Sequence, residues 1–107
     1  MMNNDFEPQL QEIVQKIVRN FHPEKIILFG SWAWSTHLEE DSDVDIVIIK
    51  DTGNTREEAR RMDQSLFPRP FLIALIVYRP DQIEKRRTLG DSFVKIVMEK
   101  GQVLYAA

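Results

Sequence analysis

The chain has 107 residues, enough for one domain, and its 43% hydrophobic and 29% charged residues are typical of a globular protein. It contains no cysteine, which excludes a disulfide scaffold and any thiolate nucleophile or thiolate metal site. The net charge is −3, from 14 Lys and Arg against 17 Asp and Glu, so there is no overall positive field for a nucleic-acid backbone. We therefore expect no direct nucleic-acid binding.

Membrane insertion and export are not indicated by the sequence. The longest apolar run, residues 71–78, is far shorter than the roughly 20 residues that a membrane span needs. Residues 1–5 are polar and lack the apolar region of a signal peptide. We expect a single domain over residues 1–107, located in the cytoplasm and not in a membrane.

Predicted helices and strands alternate along the chain. Helical spacing of apolar residues, strand-type composition and capping residues predict the elements. The first half of the chain is predicted to form a helix over 8–21, a strand over 25–29, a short helical segment over 32–37 and a strand over 43–49. The second half is predicted to form a helix over 55–66 capped by Thr55, a strand over 71–78, a helix from Pro80 to near Gly90, a helix capped by Asp91 or Ser92 that runs to Lys100 with Gly101 as C-cap, and a strand over 102–105. The strands look buried on both faces. The pattern indicates a small α/β or α+β domain.

Two aspartates stand at the start of an otherwise apolar strand. Asp43 and Asp45 flank one valine, and residues two apart in a strand project from the same face. Two such carboxylates repel each other and lose hydration, and both effects cost free energy unless a bound cation offsets them. Hard oxygen ligands at this spacing suit Mg²⁺, which binds one or two carboxylates together with phosphate oxygens. The alternative is a solvated strand end that binds nothing.

A glycine and a serine follow the first strand. Gly30 permits close approach of the backbone to a ligand, and a helix start at Ser31 offers free N–H groups and a hydroxyl to a phosphate. The alternative is an ordinary strand-to-helix turn with Ser31 as N-cap. Together with the carboxylate pair about a dozen residues later, the two features supply both halves of a site for a magnesium nucleotide.

These segments resemble a known family. Residues 29–33 (Phe-Gly-Ser-Trp-Ala) and 42–47 (Ser-Asp-Val-Asp-Ile-Val) are similar to the Gly-Ser…Ser-Asp-x-Asp motif of the DNA polymerase beta-like nucleotidyltransferases, and especially of their minimal nucleotidyltransferase (MNT) group. The Tyr-x-Pro segment at residues 78–80 and the ending over residues 99–105 resemble the same group. The similarity extends over nearly the whole chain.

The resemblance implies both a fold and an activity. The fold would be a small mixed sheet with helices packed on it and a site at the sheet edge. Asp43 and Asp45 would be catalytic and hold Mg²⁺, two ions in such enzymes, while Gly30 and Ser31 would bind the phosphates of ATP or another nucleoside triphosphate. The reaction would transfer a nucleoside monophosphate to an acceptor hydroxyl. Many members are antitoxins of a HEPN-domain toxin, and some transfer AMP onto a tyrosine of that partner.

One departure from the family pattern bears on activity. Counting back from Tyr78 and Pro80, the position of the third carboxylate of these enzymes is Ala74, and no acid occurs in residues 71–78. A general base typically contributes ~10²–10⁴-fold to a rate, so its loss can reduce an enzyme to a nucleotide binder. Asp63 and Asp81 are conceivable but poorly placed substitutes. Ala74 is either the natural residue of a degenerate member or an introduced substitution.

Two further departures concern partners. Trp34 and Ser35 stand where the family often has Arg-Gly, and the tryptophans Trp32 and Trp34 form either a face that packs on the sheet or part of an interface. The chain has no second domain to bind an acceptor. We therefore expect a partner, either a HEPN-domain protein or a second copy of this chain.

Two functions remain open at this point. The first is an Mg²⁺-dependent nucleotidyltransferase that transfers AMP from ATP to a hydroxyl of a HEPN-type partner and so acts as its antitoxin. The second is a nucleotide-binding or neutralising subunit of the same fold without catalysis, which Ala74 would explain.

Overall fold

A four-stranded mixed sheet carries helices on both faces. The computed structural model describes residues 6–30 and 43–107. Within them the elements are α1 (Phe6–Phe21), β1 (Lys25–Phe29), β2 (Val44–Ile49), α2 (Thr55–Ser65), β3 (Ile73–Tyr78), α3 (Pro80–Thr88), α4 (Ser92–Lys100) and β4 (Gln102–Ala106). The predicted segment over 32–37 lies outside the described residues. The expected mixed sheet with packed helices is confirmed.

The strand order is β3-β2-β1-β4. β1 runs antiparallel to both β2 and β4, whereas β2 and β3 are parallel. A parallel pair needs a connection that returns the chain to the starting end of the sheet, and α2 lies in that crossover. The chain thus brings the end of β1 and the starts of β2 and β3 to one end of the sheet.

Side-chain alternation divides the core between the two faces. On one face, the even residues of β1 and β2 pack with α1 and α2 in the larger cluster. On the other, Ile27, Val47 and Ile49 pack with Ile83 of α3 and with Val94 and Val97 of α4. The odd-numbered residues of β2, which include Asp45, share this second face.

The prediction that all strands are buried on both faces is wrong for β3 and β4. Among the described residues, each has a single neighbouring strand and so forms an edge of the sheet. Ile76 of β3 is 36% exposed and Val103 of β4 is 53% exposed. An apolar run predicts a strand but not its place in the sheet, because the place depends on which strands pair.

Several element ends differ from the prediction because of particular contacts. α1 begins at Phe6 rather than at residue 8, and the Phe6 ring packs on Phe71 with centroids 5.2 Å apart. Asn54, not Thr55, caps α2, since its side chain accepts a hydrogen bond from the Glu57 N–H. β3 begins at residue 73 rather than 71, and β4 extends to residue 106. Asp91 caps α4, and Gly101 is its C-cap as predicted.

Two ion pairs of α2 differ in how deeply they are buried. The Arg60–Glu57 pair is exposed and contributes little to stability. Glu58, in contrast, is buried and pairs with Lys50 at the end of β2. This pair attaches the start of the crossover helix to the central strand.

No helix in residues 6–30 or 43–107 is long and apolar enough to cross a bilayer.

Candidate functional site

Asp45 lies at the end of the sheet where β1 ends and β2 and β3 begin. It pairs with Phe29, the last residue of antiparallel β1, and with Ala74, the second residue of parallel β3. Directly paired residues of neighbouring strands project from the same face. The Asp45 carboxylate therefore stands between the side chains of Phe29 and Ala74, on the face covered by α3 and α4.

Asp43 supplies a second negative charge next to Asp45. It precedes β2 and is exposed, whereas Asp45 is half-buried. Burial raises the pKa of the Asp45 carboxyl above its ordinary value, and the charge of Asp43 raises it further. The two aspartates that the sequence pairs by spacing are thus close enough to interact in the folded chain.

Gly30 lies directly against the Asp45 carboxylate. Its φ is +82°, in the region that side chains other than glycine rarely adopt, and a Cβ built on it would meet Asp45 Oδ2 at 2.5 Å. Because residue 30 has no side chain, the Asp45 carboxylate can occupy the space beside it. The structure brings together Gly30 and Asp45, two of the predicted site residues, while Ser31 lies outside the described residues.

We expect Gly30→Ala to destabilise the fold more than Gly90→Ala. Gly90 has nearly the same φ, +81°, but nothing lies within 4 Å of a Cβ built there. The backbone strain, about 1–2 kcal/mol, applies to both variants, and the collision with the carboxylate applies to Gly30→Ala alone. Urea unfolding measures the difference. Adding Asp45→Ala to Gly30→Ala should recover part of the loss, and equal effects of the two glycine variants would contradict the proposed contact.

The raised pKa of Asp45 gives a defined pH dependence. The folded chain binds this proton more tightly than the unfolded chain, so the contribution of Asp45 to the free energy of unfolding increases as the pH falls through the folded-state pKa towards 3.8. In metal-free buffer, Asp45→Asn should therefore be more stable than the wild type at neutral pH, and this advantage should shrink as the pH falls. Urea unfolding across that range measures it. Asp51→Asn, an exposed charge at the other end of β2, should show no such advantage.

Ala74 lies in β3 directly beside Asp45, at the position obtained by counting back from Tyr78 and Pro80. Its pairing with Asp45 places its Cβ on the same face as the carboxylate, and a register shift of one residue would have placed it on the opposite face. Among residues 6–30 and 43–107, no group of three or more His, Asp or Glu is arranged to hold a metal. Ala74 thus shares the face of the Asp45 carboxylate, and a third carboxylate is missing from the described part of the site.

The two conceivable substitutes for that carboxylate have other partners. Asp63 lies on α2 and pairs with Arg69. Asp81 lies on α3, beyond the opposite end of β3, where Arg79 holds it at 3.1 Å and lowers its pKa. Neither residue lies on the strand end that carries Ala74.

The donor set fits a divalent cation held with the help of a phosphate ligand. Asp43 and Asp45 provide hard oxygen ligands, and their repulsion and the burial of Asp45 are the costs that a cation would offset. Mg²⁺ commonly keeps several waters or substrate oxygens beside one or two carboxylates. The two aspartates are the described residues that would hold it.

One neighbour of the site is absent from the sequence-based predictions. The ring of Phe93, at the start of α4, packs edge-to-face on Phe29 with centroids 5.2 Å apart. A signal was present: residues 93, 94, 96, 97 and 98 are all apolar, more than one buried helix face requires. Val94 and Val97 are buried, and the other three are exposed.

The basic run at residues 85–87 is exposed on α3. Arg87 pairs with Glu84 of the same helix, and Arg86 pairs with Asp91 and lies over the Tyr78 ring. These contacts account for both arginines without a ligand.

Comparison with known proteins agrees with this arrangement. The fold resembles the crystal structure of a candidate nucleotidyltransferase from Sulfolobus solfataricus, with a TM-score of 0.61 and 20% sequence identity over 99% of this chain and 90% of that one. No curated protein matches the chain in sequence. The sequence model of the nucleotidyltransferase domain matches residues 9–104, which include Gly30, Asp43, Asp45 and Ala74. The chain belongs to the nucleotidyltransferase domain family.

Proposed function

We propose that this domain transfers AMP from ATP to a hydroxyl group of a partner protein in an Mg²⁺-dependent reaction. The observation that carries the proposal is the contact between the Gly30 backbone and the Asp45 carboxylate, with Asp43 beside it. A close backbone turn next to two carboxylates suits a ligand that combines phosphate groups with a cation. Membership of the nucleotidyltransferase domain family supports the type of reaction.

Each residue of the site has a distinct task in this proposal. Asp43 and Asp45 hold Mg²⁺, which when bound neutralises phosphate charge and stabilises the attacking and leaving oxygens. Gly30 lets the backbone approach the phosphates, and Ser31 donates to them. The acceptor oxygen forms a bond to the α-phosphorus, the bond from that phosphorus to the bridging oxygen breaks, and pyrophosphate leaves. The proton of the acceptor hydroxyl passes to solvent, because Ala74 offers no base.

The partner in this proposal is a HEPN-domain protein whose activity the modification silences, in the cytoplasm. This part depends on the resemblance of the motifs and of residues 99–105 to the MNT antitoxins. A second copy of this chain is the alternative partner.

A second function is favoured by one specific observation. Ala74 occupies the strand position beside Asp45, and no described acid replaces it. A domain with this change can bind a magnesium nucleotide and neutralise its partner by binding alone. Asp43 and Asp45 would hold the metal in both functions, so the two functions differ only in the transfer step.

An isotope experiment distinguishes the two. The chain, Mg²⁺ and a HEPN-domain protein are incubated with ATP labelled on the α-phosphate, and in parallel with ATP labelled on the γ-phosphate. Transfer predicts that only the α-label becomes attached to the partner. Binding of ATP without any attached label supports the neutralising subunit, and the absence of Mg²⁺-dependent ATP binding contradicts both functions.

A further inference from the structure

An aromatic pair stands next to the carboxylates of the site. Phe29 is the direct strand partner of Asp45 and immediately precedes Gly30. Phe93 packs edge-to-face on Phe29, with ring centroids 5.2 Å apart and an interplanar angle of 84°. The carboxylate, the glycine turn and the two rings therefore form one continuous surface at the end of the sheet.

The Phe93 ring is held in place but not covered. Its backbone N–H donates to the Asp91 side chain at 3.0 Å, in the cap that begins α4, while its ring rests against Phe29. The residue is nevertheless 36% exposed, whereas Val94 next to it is completely buried. A fixed, exposed aromatic ring presents an apolar surface on which another flat ring can stack.

The spacing between this ring and the carboxylate suits a nucleoside. Directly paired residues of antiparallel strands have Cβ atoms about 5 Å apart, and the Phe93 ring lies one aromatic contact beyond Phe29. The centroid of the Phe93 ring is thus at most roughly 10 Å from the Asp45 side chain, on the same face of the sheet. A ribose, an α-phosphate and a cation bound to that phosphate would together span a comparable length between a base and the carboxylate.

We propose that the exposed ring of Phe93 stacks on the base of the bound nucleoside triphosphate, while the carboxylates and the glycine turn receive its phosphates. This inference rests on the proposed function and adds to it the group that recognises the nucleoside. Stacking on an aromatic ring tolerates any base, because every base has an apolar face. The ring therefore selects nucleotides over inorganic polyphosphates and discriminates little among the four bases.

Calorimetry with two ligands tests the inference. ATP and inorganic tripolyphosphate are titrated, each with Mg²⁺, into the wild type, Phe93→Ala and Phe93→Tyr. Phe93→Ala should weaken ATP binding roughly 5- to 150-fold, the usual range for one stacked base, and leave tripolyphosphate binding unchanged. Phe93→Tyr retains the ring and should bind ATP as the wild type does.

Met98→Ala is the matched control. Met98 lies on the same helix with nearly the same exposure, 37%, but on the part that lines a pocket with Arg87, Lys95 and Glu99. It should bind both ligands like the wild type. Equal weakening of ATP and tripolyphosphate in Phe93→Ala would overturn the inference, since the ring would then only support the fold of the site. Unchanged ATP binding in that variant would overturn it as well.

A measurement on the wild type keeps the test independent of the stability of the variants. With Mg²⁺ present, ATP should produce nuclear Overhauser contacts between adenine protons and the Phe93 ring, whereas tripolyphosphate should leave the ring resonances unchanged. ATP binding without those contacts would overturn the stacking but not the proposed function. If the wild type binds neither ligand, the proposed function fails, and the stacking fails with it.

Discussion

Replacing both aspartates by asparagine should abolish the Mg²⁺-dependent part of ATP binding. Asp43→Asn with Asp45→Asn removes the two negative charges but keeps the size of the side chains. Without those charges nothing in the described part of the site offsets the charge of a divalent cation. Calorimetry with and without Mg²⁺ measures the loss, and any remaining affinity should be the same in both buffers.

The same double variant should fold as well as the wild type in metal-free buffer, or better. It removes the repulsion and the burial cost that raise the pKa of Asp45. The matched control is Asp51→Asn with Asp81→Asn, which removes two exposed carboxylates at the other end of the sheet. The control should retain Mg²⁺-dependent ATP binding. Unchanged affinity for magnesium ATP in Asp43→Asn with Asp45→Asn would show that the nucleotide binds elsewhere.

Introducing an aspartate at residue 74 should tighten Mg²⁺ binding and accelerate nucleotide transfer. Ala74 is paired in register with Asp45 and shares its face, so Ala74→Asp adds a third carboxylate to the pair. We expect tighter Mg²⁺ binding and faster nucleotide transfer to the partner, by on the order of 10²-fold, because the new group can accept the proton of the attacking hydroxyl. The α-label assay with the partner present measures the rate.

Ile76→Asp is the control for this gain. Ile76 lies two residues further along the same edge strand and on the same face, paired with Val47 instead of Asp45, and is 36% exposed. Ile76→Asp adds the same charge but places it away from Asp45, so it should change neither Mg²⁺ binding nor transfer. Ala74→Asp should also be destabilised in metal-free buffer, where three carboxylates repel one another, and Mg²⁺ should reverse this. A destabilised variant without faster transfer would contradict the catalytic ancestry assigned to this strand.

The local pattern of the sequence predicts most of the elements and their side-chain faces. Hydrophobic periodicity is a property of consecutive residues, so it predicts a strand over residues 43–49 with Asp43 and Asp45 on one face, and the observed strand is Val44–Ile49. The same alternation, counted back from the Tyr78–Pro80 anchor, correctly predicts that Ala74 shares their face. Gly30 is also predicted locally, because a strand that stops at a glycine indicates a turn.

Some features depend on contacts between distant segments, which no local pattern specifies. Glu58 reads as one of several surface charges, yet it is buried because α2 crosses the sheet at Lys50. The exposure of Ile76 and Val103 follows from the strand order, which places β3 and β4 at the edges.

The candidate site shows the same division. By itself, the sequence determined which residues are candidates for the site, the carboxylate pair and the glycine turn, because these are short motifs with a fixed spacing. Only the tertiary structure decided that Gly30 leaves room for the Asp45 carboxylate and that Phe93 completes the surface through Phe29. Strand pairing of residue 29 with residue 45 brings residue 30 against the carboxylate, and helix packing brings residue 93 to residue 29. Such contacts between separate segments arise from the packing of the whole sheet.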